Sequence, residues 1–214
     1  MGVFDLYADA HDPKYGAPHE VPLKICTPES IAEYGRIVHD FEEEEVWIVT
    51  WPQQGWRPIC SGTGNQGGVT SGAFRYRWEG DELKAVNEAV GGDYTTGRLP
   101  PGVSTTNRTH VLVREANYHP DGGQVFFPTN SAAFVLLLAL PGDDIKLSDF
   151  VAFYCDGSFG VQIRPGIWHQ PLYPIADEAV FRGKQGRVHA CVAVDTVTEF
   201  GKYLKVPLKP EMAK

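Results

Sequence analysis

Tyr118-His119-Pro120-Asp121-Gly122-Gly123-Gln124-Val125-Phe126-Phe127-Pro128 is answered later in the chain by Gly160-Val161-Gln162-Ile163-Arg164-Pro165-Gly166-Ile167-Trp168-His169-Gln170-Pro171-Leu172. Each half carries a histidine beside a proline or glycine turn, and strand-like apolar runs lie between the halves. Short apolar runs broken by turn residues are the pattern of an all-β domain. Two separated histidines aimed into one β-barrel mouth can hold a polar substrate or a metal. Function is expected there.

Outward from this pair, strand signals cover 109–117, 124–127, 133–140, 149–154, 160–163 and 188–194. Asp121-Gly122-Gly123, Pro141-Gly142-Asp143, Asp156-Gly157 and Pro165-Gly166 separate them. That spacing fits a sandwich or barrel. Upstream, 73–78 alternates apolar and basic residues and reads as a strand with one dry face. A strand is also expected over 45–51, a loop over 52–70, a helical turn near 83–90 and a Gly-rich loop after it. Thr27-Pro28-Glu29-Ser30 reads as a helix start, with Thr27 as cap and Pro28 in the first turn. Ile31, Tyr34, Ile37 and Val38 then recur at helical spacing, which predicts a helix ending near Phe41. Residues 197–204 close the fold as a strand or helical turn. Residues 1–23, with Pro13, Gly16, Pro18 and Pro22, read as an extended arm, and 24–214 as one domain.

The composition bounds the function classes. With 214 residues, 43% hydrophobic and 12% aromatic, the chain can bury one substantial core. A net charge of −8 without a basic stripe argues against binding a phosphate backbone, so no nucleic acid partner is expected. Glu42-Glu43-Glu44-Glu45 reads as solvated surface. Met1-Gly2-Val3-Phe4-Asp5-Leu6 lacks a basic region followed by an apolar one, and the apolar run at 132–140 is too short to span a bilayer. No membrane association is expected, and the default location is cytoplasmic. Cys26, Cys60, Cys155 and Cys191 lack C-x-x-C spacing and read as buried free thiols.

Chemistry is expected on a few side chains. Side chains two apart on a strand share a face, so Glu115, Asn117 and His119 form one row, continued inward by Val111 and Val113. Gln124 opens the next strand after the Gly turn. His169 sits in a loop fixed by Pro165, Gly166 and Pro171, with Trp168 beside it as a core anchor. Arg75, Arg77, Arg114 and Arg164 can each pair with a carboxylate. Arg164 is the preferred anchor because it lies on the strand leading to His169.

These motifs resemble the ureidoglycolate lyase family, a cupin-like β-barrel. His119-Pro120, Gly123-Gln124 and Phe126-Phe127-Pro128 are similar to one family signature. Gly160-Val161, Trp168-His169 and Pro171-Leu172 are similar to a second, and Thr27-Pro28-Glu29 with Tyr34-Gly35 to the family's opening. The resemblance covers 24–40 and 108–195, with a looser echo at 72–83. It implies an all-β cupin-like barrel of jelly-roll type with a few short helices. It also implies a lyase of purine catabolism, in allantoin degradation, that cleaves ureidoglycolate to glyoxylate and urea.

On that reading His119, Gln124 and His169 carry catalysis, one histidine as base and the other as acid or orienting partner. Arg164, Asn117 and Glu115 bind the small polar carboxylate substrate. Two positions depart from the family pattern. Asn117 stands where the family usually has Glu, and Gln170 where it often has a second His. The loops 52–70 and 84–105 are additional. Laid on the metal-cupin pattern, Asn117, His119, Gln124 and His169 fill the four positions. Two imidazoles and an amide make a weak donor set, so the expectation is no required metal, or a weakly held divalent ion on His119, Gln124 and His169. A homodimer is expected. The alternatives are a metal-dependent cupin lyase or oxygenase acting on another small hydroxy acid, and a non-catalytic ligand-binding barrel.

Overall fold

The computed structural model of the chain describes residues 7–53, 55–64, 67–187 and 190–213. The reading of Met1 to Leu6, and Val188 at the start of the strand expected over 188–194, lie outside the described residues. In chain order the first strands are β1 (His19–Glu20), β2 (Leu23–Ile25), β3 (Gly35–Val38), β4 (Val69–Glu79), β5 (Glu82–Asn87) and β6 (Gly92–Arg98). They are followed by β7 (His110–Val113), β8 (Glu115–Tyr118), β9 (Gln124–Pro128), β10 (Phe134–Ala139) and β11 (Val151–Cys155). The last are β12 (Gly160–Ile163), β13 (Trp168–Pro174), β14 (Glu178–Gly186), β15 (Val192–Asp195) and β16 (Leu204–Pro207). Two short helices, α1 (Pro28–Ile31) and α2 (Thr196–Phe200), accompany them. No described helix is long and apolar enough to cross a membrane.

The fold is all-β, as the turn spacing predicts, and cupin-like, as the family resemblance implies. A ten-stranded sheet runs β1-β16-β7-β6-β5-β4-β14-β9-β12-β3, and a six-stranded sheet runs β15-β8-β13-β10-β11-β2. The two ladders stay separate and do not close into one cylinder. Alternation sets which side chains line the space between them. On β14, Phe181, Gly183 and Gln185 are buried while Arg182 is exposed. On the opposing sheet β10 is buried along its whole length, Phe134 to Ala139. Phe134 and Phe181 meet edge to face at 5.0 Å and belong to the main core cluster.

The outer face of the ten-stranded sheet is dry where residues 41–47 lie on it. Phe41 packs with Val38 and Val125. Lys184 Nζ donates to the Phe41 and Glu44 carbonyls at 2.8 and 2.7 Å. Gln162 accepts from Trp47 N–H at 3.0 Å and donates to Glu45 O at 3.0 Å. Glu42, Glu43 and Glu45 are exposed, in line with the solvated reading, and Glu44 is half-buried.

Several local expectations are corrected by pairing. The helix predicted to reach Phe41 ends at Ile31. Thr27 caps it as expected, exchanging hydrogen bonds with Ser30, but residues 35–38 are claimed by β12, with Gly35 opposite Ile163. The helical turn near 83–90 is β5, and the Gly-rich loop after it contains β6. The strand over 45–51 survives as a single bridge between Ile48 and Gly122. The strand read through 109–117 is two strands in different sheets, broken at Arg114. Arg114 leaves the ladder because Tyr7 Oη takes its N–H at 3.1 Å and Thr196 N–H takes its carbonyl at 2.8 Å. Val111 and Val113 therefore do not continue the row of Glu115 and Asn117. β14 was not expected from the sequence and is the hub of the larger sheet.

Candidate active site

The two quoted segments meet in space. Gly166 N–H donates to His119 O at 2.9 Å, and the His119 and His169 ring centroids are 5.0 Å apart, with the rings tilted by 64°. His119 directly follows β8; His169 lies on β13 directly opposite Asn117. Gln124, on the facing sheet, reaches His169. All three catalytic candidates are buried: His119 is 5% exposed, Gln124 3% and His169 3%.

A chain of amides of fixed polarity supports them. Ala89 N–H donates to Asn87 Oδ1 at 3.0 Å, which turns the Asn87 amide nitrogen toward Gln185. Asn87 Nδ2 donates to Gln185 Oε1 at 3.1 Å, and Gln124 Nε2 donates to the same oxygen at 3.0 Å. That leaves Gln124 Oε1 facing His169 Nε2 at 3.2 Å. One backbone N–H thus decides the orientation of three side-chain amides. Asn87 and Gln185 escaped the sequence reading. The signal that finds Gln185 is the outward pair Arg182 and Lys184, which sets Gln185 on the inner face.

The two histidines differ. His119 Nδ1 lies 2.9 Å from Ala190 O, a carbonyl that can only accept. A neutral His119 ring therefore carries its proton on Nδ1. His169 has an acceptor at each nitrogen: Ile167 O is 2.9 Å from Nδ1, and Gln124 Oε1 faces Nε2. Burial pushes it down to about 4, against the bond to Ile167. The neutral ring then donates through one nitrogen and meets an oxygen with a lone pair on the other.

Two buried polar atoms beside this network lack a partner among the described residues: the donor Gln185 Nε2 and the acceptor Asn117 Oδ1. Buried polar atoms are ordinarily bonded, so such a pair marks where a ligand's own acceptor and donor would go. Glu115 shares the Asn117 row and pairs in register with Asp195. Burial raises its carboxyl, Asp195 adds to this, and Arg114 opposes it.

Arg164 is not brought to this cluster. It is exposed, donates to Ala32 O at 3.0 Å and stacks over Trp47. Arg75 pairs with Glu88, Arg77 with Glu79, and Arg114 with Asp9 and Asp195. Gln170 lies opposite Leu137 and is buried. Trp168 is fully buried, edge-on to Tyr118 at 4.7 Å, with Nε1 donating to Gly142 O at 2.8 Å. A groove of about 320 Å³ between residues 10–18 and Pro100-Pro101 shares none of the site residues.

Among the described residues no three His, Cys, Asp or Glu side chains converge as a metal site. The donor set expected from the sequence is His119, Gln124 and His169. It does not fit an ion as arranged, because His169 Nδ1 faces the Ile167 carbonyl and its Nε2 faces the Gln124 oxygen, which leaves no open position between them.

A family model described as ureidoglycolate lyase matches residues 81–196, more than half of the chain. Proteins named ureidoglycolate lyase from Salmonella enteritidis PT4 and from Salmonella paratyphi B are each 41% identical to it over 63 residues. The matched stretch is 29% of this chain and spans 39% of the length of those relatives.

Proposed function

The chain belongs to the ureidoglycolate lyase family, and from that premise we propose that it cleaves ureidoglycolate to glyoxylate and urea. The carbinol O–H loses its proton, the C–N bond breaks as the carbonyl forms, and the departing ureido nitrogen takes a proton. His119 is the base, acting through Nε2, since its Nδ1 proton is committed to Ala190 O. His169 is the orienting partner, holding Gln124 between itself and Gln185.

The observation that carries this reading is the pair of unpartnered atoms, Gln185 Nε2 in the amide chain and Asn117 Oδ1 on the residue opposite His169. A ureido group offers one carbonyl oxygen and several N–H donors. In this reading Gln185 Nε2 donates to that oxygen and Asn117 Oδ1 accepts from a ureido N–H. The Asn117 departure from the family pattern then keeps an acceptor without bringing a second buried charge near Glu115. The proposal extends to a cytoplasmic homodimer, which cell fractionation and light scattering test.

The direct test follows glyoxylate and urea together from racemic ureidoglycolate, with and without added divalent metal. Equal release of both, faster than spontaneous decay, is expected. His119→Ala should lower turnover by ~10²–10⁴-fold, and Gln124→Ala should also lose turnover, both with retained fold. Wild-type rates for both variants, with unchanged melting, would remove the chemistry from this site.

A further inference from the structure

The four cysteines form two contacting pairs rather than four isolated buried thiols. Cys26 and Cys155 are buried, with Cys26 N–H donating to Tyr154 O, next to Cys155, at 2.8 Å. Cys60 and Cys191 are the second pair, and both are partly exposed. Cys60 N–H donates to Cys191 O at 2.7 Å, which sets the two residues side by side. Thr63 brackets them: its Oγ1 accepts from Cys191 N–H at 3.0 Å and donates to Cys60 O at 2.8 Å. A direct backbone bond brings two residues to the ~4.4–6.8 Å Cα spacing that a disulfide spans.

We propose that Cys60 and Cys191 are a reversible disulfide-forming site whose oxidant is a low-molecular-weight disulfide. The Cys60 thiolate attacks one sulfur of the reagent; that S–S bond breaks and one thiol leaves. Cys191 gives up its proton and attacks the Cys60 sulfur of the mixed disulfide; the protein S–S bond forms and the second thiol leaves. Two protein thiols are oxidised, the reagent is reduced to two thiols, and the two protons end on them. Burial pushes the Cys191 thiol up, and the neighbouring Cys60 adds to this. Capping Cys60 as a mixed disulfide removes the neighbour's part, so the second thiolate becomes easier to form once the first step is done. The bond would tie the segment before β4 to the residue that precedes β15. Ala190, next to Cys191, holds His119 through its carbonyl, so the crosslink would pin the backbone beneath that histidine.

The test treats the full chain with oxidised glutathione, alkylates the remaining thiols after denaturation and maps the peptides. The expected product is a Cys60–Cys191 linked peptide, lighter by two hydrogens and reversed by reductant, with Cys26 and Cys155 fully alkylated. In Cys60→Ser the expected outcome is no linked peptide, and in Cys191→Ser a glutathione adduct on Cys60. A stable adduct on Cys60 in the wild-type chain, a link between Cys26 and Cys155 instead, or four alkylated thiols would overturn the proposal. None of these readouts depends on the lyase reaction.

Discussion

His169 couples stability to pH because burial disfavours its charged form, against the bond to Ile167. Its ordinary value of 6.5 falls to about 4 in the folded chain. Below pH 6.5 the unfolded chain takes up a proton that the folded chain refuses. This contribution is therefore intact above 6.5, shrinks as pH falls and is gone by about 4, a total of about 3 kcal/mol. His169→Gln should flatten the slope, read by denaturant unfolding at pH 7 and pH 5; an identical slope in the variant would assign it to another group. Asn117 gives a second prediction. Its Oδ1 has no described partner, so Asn117→Ala strands nothing when it removes that acceptor. Turnover should fall by about ten- to a hundredfold, as expected for the loss of one buried hydrogen bond to substrate, while the melting temperature does not drop. His119, Gln124 and His169 were legible in the sequence because turn residues flank each of them. Asn87 was not, since only its partner Gln185 gives it a role.

At the scale of elements, β12 was read residue for residue because alternation and flanking turns agreed there. Where local pattern and pairing disagreed, pairing won. Residues 31–38 carry apolar spacing that suits a helix, but Gly35 must lie against the Gln162 backbone for β3 to join β12. A Cβ at Gly35 would collide with the Gln162 carbonyl. Gly35→Ala should therefore cost about 1–3 kcal/mol by forcing the edge strand away, measured as a lowered melting temperature. An unchanged midpoint would mean that β3 is free to shift. Residues 83–90 were read as a helical turn, but Leu83, Ala85 and Asn87 are buried at strand spacing and packed against β4.

Over the whole molecule, residues 7–23 are part of the packing within the chain. Tyr7 is fully buried; its hydroxyl donates to Thr96 O at 2.9 Å and accepts from Arg114 N–H at 3.1 Å. Arg114 in turn bridges Asp9 and Asp195, at the point where the chain passes from one sheet to the other. Tyr7→Ala should cost ~3–5 kcal/mol, the range for truncating a buried aromatic ring. Thermal melting checks it, and a loss below 1 kcal/mol would show that the segment packs only loosely on the sheets.

The sequence by itself determined the all-β class, the turns and the two histidine-bearing segments. Each depends on residues close together in the chain: alternation sets faces, and Gly or Pro sets where a strand stops. Only the tertiary structure decided which strands become neighbours. Gln185 meets Gln124 because β14 pairs with β9, and Cys60 meets Cys191 across 131 positions of the chain. Arg164, close to His169 in sequence, turns outward to Ala32 and Trp47. Such neighbours are chosen by the packing of two whole sheets, a sum over many distant contacts that no short stretch of sequence carries.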